Sequence, residues 1–521
     1  MSPSESLNIA DAFLAARLRE GRGDRVALRL ADRDLTYAEV DRLANRFGNA
    51  LRALGVRQEE RVLLALPDGA EYAGALFGVL KLGAVVVMVN PGLPVSSLAT
   101  ILGCARASAA VVSAGAVELF EAAAAEAGQG PRLLVAGDDA ELDVPDELEI
   151  VATHRYDPAI WLFSGGTTGR PKAVVQTHAS FANTTERYAK QAVGYRETDV
   201  TLSVPKLYFG YATGSNLFFP FAVGASAALY PEHPTADVVF AQIRRHRPTI
   251  LVNVPKMVAD LVAHPDAARQ DLSCLRFATS AGEALPPPLY ERWKATFGVE
   301  LLDGLGTAEM WHIFVSNTLE AVRPGSLGRT VPGFDVRVRD DDGRDLPDGH
   351  VGRLWVRGGS RALGYWQDLP KTAEAFRGEW FVGGDLVHRD ADGFLFYAGR
   401  ADDALEVGGK WLLPAEVEGC LLQHPAVTEA AVVGVGDPSG LVKPVAFVVA
   451  AGPGVADPGL ETALQRHCLE RLEPYKHPRR VFPLAGLPRT PPRQDRPQRT
   501  QAPRRSAGVT ANAVRRRAQR S

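Results

Sequence analysis

Between Trp161 and Ala173 the chain reads Trp-Leu-Phe-Ser-Gly-Gly-Thr-Thr-Gly-Arg-Pro-Lys-Ala. An apolar run that predicts a buried strand ends abruptly in hydroxylated residues and glycines, then in two cations. Glycine lets a backbone come close to an anion and point its amides at it. Ser164, Thr167 and Thr168 add hydroxyl donors among Gly165, Gly166 and Gly169, and Arg170 and Lys172 add positive charge. A loop of this kind has the chemistry to hold a polyphosphate. It is not a Walker P-loop, because no Gly-Lys-Ser/Thr opens a helix after a four-residue spacer. A surface turn is the bland alternative, and the density of hydroxyls and cations weighs against it.

The elements that must position this loop are legible as alternation. Arg61–Pro67, Ala84–Val89 and Ala109–Ser113 are short, β-branched and bounded by turn residues, with helical patterns at Glu71 to Leu82 and Leu98 to Ala105 between them. Strand and helix in turn predict a mostly parallel sheet covered on both faces. Gly128 to Asp157 is acidic and reads as a surface loop. Beyond the loop, strands are expected at Val200–Pro205, Ala225–Tyr230, Thr249–Pro255 and Cys274–Ser280. Ends of parallel strands are where open α/β sheets place ligands, and two of the following turns carry an acid near glycine: Ala281-Gly282-Glu283 and Gly304 to Glu309. An acid after glycine can also do no more than cap a helix, which is the alternative for Glu283. From Gly325 short alternating strands with Asp-Gly turns predict a β-rich subdomain, and from Pro414 to Leu472 the pattern is that of a compact α+β unit.

Length and composition set the frame. At 521 residues, 46% apolar and 23% charged, the chain suits a multidomain globular protein. Cys104, Cys274, Cys420 and Cys468 lie far apart without CxxC or Cys/His spacing, which argues against a disulfide framework or zinc site and fits a cytoplasmic location. No signal peptide or membrane-spanning run is visible, so no membrane partner is expected. The net charge of −3 carries no message about partners.

Ser164 to Lys172, the Gly304–Glu309 turn, Trp380-Phe-Val-Gly-Gly-Asp385 and Gly399-Arg400-Ala401-Asp402-Asp403 occur in the order and spacing of the acyl-adenylate-forming (AMP-binding) superfamily, which the chain resembles up to about Pro488. The resemblance implies an α/β fold. Residues 1–400 would form a large N-terminal domain of two α/β subdomains plus a β-rich one, residues 401–488 a small mobile α+β domain, and 489–521 a basic tail. It also implies a two-step reaction. A carboxylate attacks the α-phosphorus of ATP to give an acyl-AMP and pyrophosphate, and the thiol of coenzyme A then displaces AMP. By the match, Ser164, Gly165, Gly166, Thr167, Thr168, Gly169 and Lys172 belong to the phosphate loop. Glu309 is the Mg2+-associated acid, preceded by Gly304 and Thr307; Lys172 and Glu309 would carry catalysis. Asp385 falls at the ribose acid with Arg400 beside it, Gly282, Glu283, Ala284 and Asp303 where adenine is held, and Asp402 at the hinge.

Within the superfamily the chain is most similar to benzoate-type aryl-CoA ligases, on Lys206-Leu-Tyr-Phe-Gly-Tyr-Ala-Thr-Gly-Ser, Ser280-Ala-Gly-Glu-Ala-Leu-Pro and Glu309-Met-Trp-His-Ile-Phe. Phe209, Tyr211, Ala212, Gly214 and Ile313 would then build a flat apolar pocket for a small aromatic carboxylic acid. His312 would either polarise a carboxylate or ring substituent, or be a core histidine. Alternatives are a ligase for alicyclic or aliphatic acids, an enzyme loading a carrier protein, and a non-catalytic adenylate-binding protein. A homodimer is left open.

Four positions depart from the family pattern. Ala308 stands for the usual threonine before the magnesium acid, Gly384 for the threonine before the ribose aspartate, and Glu406 for the lysine after the hinge motif. The family's C-terminal Pro-Arg/Lys-Thr-x-x-Gly-Lys supplies a lysine to the α-phosphate. Here Pro488-Arg-Thr is followed by Pro-Pro-Arg-Gln494, which cannot supply that charge, so impaired adenylation is expected. Codons for Pro491 to Arg496 read one nucleotide later can restore His-Leu-Gly-Lys-Ile, so a frameshift would explain both the lost lysine and the patternless basic tail. The competing reading of that tail is a nucleic-acid-binding arm, though nucleic acid is not the expected partner.

Overall fold

The strand–helix alternation of the first half builds two sheets rather than one. The computed structural model describes residues 5–137, 142–164, 172–401, 405–407, 410–436, 442–450 and 459–487. A seven-stranded sheet runs in the order Gly364–Tyr365, Lys172–Thr177, Pro158–Ser164, Val85–Met88, Arg61–Ala65, Ala109–Ser113, Arg132–Ala136. The last five of these are mutually parallel, while Lys172–Thr177 returns antiparallel beside Pro158–Ser164. The phosphate-type loop is thus the connection of a hairpin at the antiparallel end of the sheet. The segment expected to be loop from Gly128 to Asp157 contains the strand Arg132–Ala136. Arg-Leu-Leu-Val-Ala is an apolar run short enough to be hidden by its acidic, proline-containing neighbours, and parallel pairing with Ala109–Ser113 fixes it.

A nine-stranded sheet holds Arg329–Thr330, Ile313–Ser316, Leu301–Gly306, Phe277–Ser280, Ile250–Asn253, Val200–Ser203, Ser226–Ala228, Val26–Arg29 and Asp34–Thr36 in that order. Its six central strands are parallel, and its outer strands are antiparallel. One buried cluster joins the two sheets, with Phe77, Leu162, Phe181, Phe218, Phe219, Trp311 and Phe314 among its members. Five antiparallel strands between Asp335 and Arg400 form the β-rich subdomain. Pro414–Leu422, Leu460–Leu469 and the sheet Val427–Gly436, Val442–Ala450, Arg480–Leu484 enclose a separate core around Val417, Leu421, Val432, Ala446 and Leu464. The architecture is α/β, with a large N-terminal domain and a smaller C-terminal one. Among the described residues no helix is long and apolar enough to cross a membrane.

Candidate active site

Three elements converge on Glu309. It lies in the single 3-10 turn Ala308–Met310, which Thr307 caps by accepting the Met310 amide on its hydroxyl. Gln176, on the strand that returns from the phosphate-type loop, donates to the Ala308 carbonyl at 2.6 Å, and the Ala362 amide donates to the Glu309 carbonyl. The third element is the two-residue strand Gly364–Tyr365, paired with Val174 and Val175. The Tyr365 hydroxyl donates to Glu309 Oε1 at 2.7 Å, and the Lys172 ammonium sits 5.4 Å from the centre of the Tyr365 ring. Burial and the adjacent Glu309 carboxylate both push the Tyr365 phenol upward, so it remains a donor. Ser164 and Lys172 face each other across the hairpin. Gly165, Gly166, Thr167, Thr168 and Gly169 lie outside the described residues, as do Asp402 and the tail from 488.

Among the described residues Glu309 Oε2 has no partner, and no three acids, histidines or cysteines gather to hold a metal. A single hard carboxylate oxygen, on the acid bonded to the tyrosine that Lys172 lies over, fits Mg2+, which usually takes one or two carboxylates and draws its other ligands from phosphates and water.

The nucleotide-type residues fall into two groups, one on each of two sheets. Asp303 pairs in register with Ser280 on the neighbouring strand, is 5% exposed, and leaves Oδ1 without a partner among the described residues. Burial pushes its carboxyl up to about 8, opposed by the Ser280 hydroxyl and the Gly304 and Leu285 amides. Gly282 adopts φ +94° with nothing within 4 Å of where a Cβ would stand, and Glu283 and Ala284 are exposed beside it. The next helix begins only at Pro287, so Glu283 caps nothing. Asp385 and Arg400 face each other on adjacent antiparallel strands, with Arg400 Nη1 3.3 Å from Asp385 Oδ1. A Cβ at Gly384 would stand 2.5 Å from Arg400 Nη2, so the glycine found there is what lets the guanidinium lie over the strand.

The third group surrounds His312. Trp311 has φ +62° and ψ −45°, and the His312 amide donates to the Met310 carbonyl. That is a γ-turn of the strained, positive-φ kind, rare for a bulky residue. It delivers His312 into a ring of aromatics: Phe219 at 4.7 Å, Tyr188 and Tyr211 at 5.3 Å each. His312 Nε2 is 3.1 Å from both the Tyr211 carbonyl and the Ser215 hydroxyl. A carbonyl can only accept, so Nε2 carries the hydrogen and Nδ1 the lone pair. Nδ1 is buried without a partner among the described residues, and burial lowers the imidazole to about 3, keeping it neutral. The ring is therefore both a core anchor, through Nε2, and a spare acceptor, through Nδ1.

Gly214 opens the π-helical stretch Gly214–Phe218, and a Cβ there would meet the His312 ring at 2.6 Å. Tyr211 bonds through its hydroxyl to Thr279 at 2.6 Å, Ala212 is buried, and Ile313 Cγ2 lies 3.1 Å from where a Gly304 Cβ would stand. Phe209 is 53% exposed and rests on Tyr208, apart from the His312 rings. Tyr365, Gln176, Tyr188 and Phe219 were not reached from the sequence, because each meets the site through tertiary packing that no local pattern announces; Ser215 closes the Lys206 motif but carried no assigned role there.

The family model described as AMP-binding enzyme matches residues 15–366, and the one described as AMP-binding enzyme C-terminal domain matches residues 416–493. The chain belongs to the AMP-binding enzyme family. With that membership comes AMP-forming acid–thiol ligation on ATP, Mg2+ and coenzyme A. Over 495 residues the chain is 40% identical to a benzoate–CoA ligase of Thauera aromatica, covering 93% of this chain and 94% of that one. The structure superposes on an anthranilate–CoA ligase in complex with anthranoyl-AMP with a TM-score of 0.87, at 38% identity and covering 93% and 95% of the two chains. For a benzoate–CoA ligase of Burkholderia xenovorans the values are 0.85, 40%, 93% and 97%. The C-terminal match ends at Arg493, directly before Gln494.

Proposed function

We propose that this protein is an ATP-dependent aryl-carboxylate–CoA ligase for benzoate or a substituted benzoate, acting in the cytoplasm. The observation that carries the reading is near-full-length likeness to enzymes named for aryl acids. The aromatic enclosure of His312 supports it, and neither the aliphatic nor the non-catalytic alternative has a comparable observation behind it. In this reading the ring of the acid lies against Tyr211, Ala212, Gly214, Phe209 and Ile313, and His312 Nδ1 accepts a hydrogen bond from the substrate. Lys172 and the phosphate loop bind the phosphates and lower the cost of the charge that builds there. Glu309, held by Tyr365, would hold Mg2+, which neutralises the departing pyrophosphate. Asp385 and Arg400 take the ribose, and Gly282, Glu283, Ala284 and Asp303 the adenine. Residues 401–488 turn about Asp402 between the two half-reactions.

Gln494 makes the first half-reaction the weaker one. The test supplies benzoate, ATP, Mg2+ and coenzyme A to one sample and preformed benzoyl-AMP with coenzyme A to another, following benzoyl-CoA. Product from the second sample alone is expected if the missing lysine disables adenylation, and Gln494→Lys should then restore the first. Turnover in both would mean that the lysine matters less than the motif implies. Silence in both, with hydroxy- and aminobenzoates also inert, would overturn the aryl-ligase reading. Resequencing the gene tests the frameshift, and an unambiguous read with no frame encoding Gly-Lys would remove it.

A further inference from the structure

The segment Lys206–Tyr211, which leads into the His312 cluster, is tied by two buried charged residues that the reaction itself does not use: Asp68, from the seven-stranded sheet, and Lys206, within the segment and bonded to Tyr230 beyond the strand Ser226–Ala228 of the nine-stranded sheet. Asp68 follows the strand Arg61–Ala65 of the seven-stranded sheet and is 4% exposed. Its Oδ1 accepts the Leu207 amide at 2.8 Å. The Leu207 carbonyl accepts from the Tyr72 hydroxyl at 2.9 Å and from the Thr213 hydroxyl. Lys206 is buried too, at 8% exposure; its Nζ donates to the Tyr230 carbonyl at 2.7 Å and lies 3.4 Å from the centre of the Tyr230 ring. Four residues beyond Leu207, the Tyr211 carbonyl meets His312 Nε2.

Burying an acid and a lysine is costly unless each finds compensation, and an apolar pair would fill the space without that cost. Here both charges are spent on one short segment. We propose that Asp68 and Lys206 are a positioning pair for the aryl-acid site, Asp68 pinning Leu207 to the seven-stranded sheet and Lys206 tying the start of the segment to Tyr230 beside the nine-stranded one, so that the Tyr211 carbonyl fixes the tautomer and tilt of His312. The inference rests on the aryl-ligase reading for what the site binds, and on geometry alone for the pinning. Each charge opposes the effect of burial on the other: Asp68 is pushed up to about 6 and Lys206 down to about 8, with Glu232 as the further acid acting on the lysine.

Asp68→Ala, Asp68→Asn, Lys206→Met and the double variant Asp68→Asn/Lys206→Met test it in the full-length protein. The readouts are KM for benzoate (or for benzoyl-AMP, should adenylation be disabled), KM for coenzyme A, and hydrogen exchange across residues 204–213. Losing the bond to Leu207 should raise the aryl KM about tenfold in Asp68→Ala, with coenzyme A within about twofold, and speed exchange at Leu207 by a similar factor. Asp68→Asn keeps size and acceptor, folds if Asp68→Ala does not, and should give a smaller rise. The double variant should cost less than the sum of the singles, because neither charge is left buried alone. An active wild type whose variants keep the aryl KM, or keep Leu207 protected, overturns the pair. A purely structural role would lower thermal stability and leave the KM split absent, which overturns it too. A wild type inert with every aryl acid fails the function reading instead, and Leu207 exchange still decides the pinning.

Discussion

Around His312 the chain packs four rings against one imidazole within 5.4 Å, ties Nε2 to a carbonyl, and leaves the Nδ1 lone pair buried without a partner among the described residues. Asp385 and Arg400 stand instead on adjacent strands with 40% of the arginine side chain exposed. In the first region, if it holds the acid as proposed, shape and an unmet acceptor would select the ligand, and any misfit would be felt at once, because a packed interior cannot relax. In the second, Asp385 is buried but its partner is a long, 40%-exposed arginine whose charge solvent screens. Asp303 belongs with the first region despite its place among the nucleotide-type residues, since it too is a buried carboxyl with an unpartnered oxygen.

That grouping predicts the largest effect, and it is on stability. Unfolded, the Asp303 carboxyl ionises near 3.9; folded, it does so near about 8. Between those values the folded state keeps a proton that the unfolded state has lost, so the stabilisation is complete below pH about 4 and is lost as pH rises to about 8, at up to about 1.4 kcal/mol per pH unit. Urea unfolding of the ATP-free protein at pH 5, 6, 7 and 8 should show that slope, and Asp303→Asn should flatten it. Parallel slopes in the two proteins would place Asp303 with the solvated rim instead.

Two substitutions act on the His312 enclosure. Gly214→Val sets new carbon where the His312 ring already stands, 2.6 Å from the Cβ position. Overpacking of about 1–3 kcal/mol should cut kcat/KM for benzoate by about 10- to 100-fold and leave KM for ATP unchanged. His312→Phe keeps the ring and removes the donor to Tyr211, leaving a buried carbonyl unmet at about 1–3 kcal/mol. Its aryl KM should rise about tenfold, more for hydroxy- or aminobenzoates than for benzoate if Nδ1 accepts from a ring substituent. Equal losses on all three acids would assign His312 to packing alone.

The comparison also separates what sequence can and cannot convey. The strand–helix alternation is visible because each element buries one face at its own period, and Glu283 and Glu309 stand out as acids near glycine in turns after strands, whereas Asp303 is reached only through the family resemblance. Tyr365 reaches Glu309 from 56 residues away on a strand of two residues, too short to leave a periodic trace. Gln176 sits in a run that reads as any strand would, and its bond to the Ala308 carbonyl exists only once two sheets meet. The γ-turn at Trp311 opposes that residue's backbone preference, so local reasoning predicts against it. The choice between core histidine and polarising histidine was undecidable from residue type, because it turns on which nitrogen meets the Tyr211 carbonyl.

Gly384 supplies the smallest expected effect and the sharpest contrast with Gly214. Both glycines make room for a functional side chain: a Cβ would stand 2.6 Å from the His312 ring at one and 2.5 Å from Arg400 Nη2 at the other. The neighbours differ in how far they can retreat. His312 is enclosed, whereas 40% of the Arg400 side chain is exposed. Gly384→Thr, which installs the residue common in the family, should therefore turn the guanidinium outward, break its 3.3 Å contact with Asp385 and cost less than about 1 kcal/mol. KM for ATP should rise no more than about fivefold, with the benzoate KM and thermal midpoint unmoved. A loss on ATP as large as that of Gly214→Val on benzoate would show that Arg400 is as confined as His312, and the division between a packed acid pocket and a yielding nucleotide rim would fail at its clearest pair.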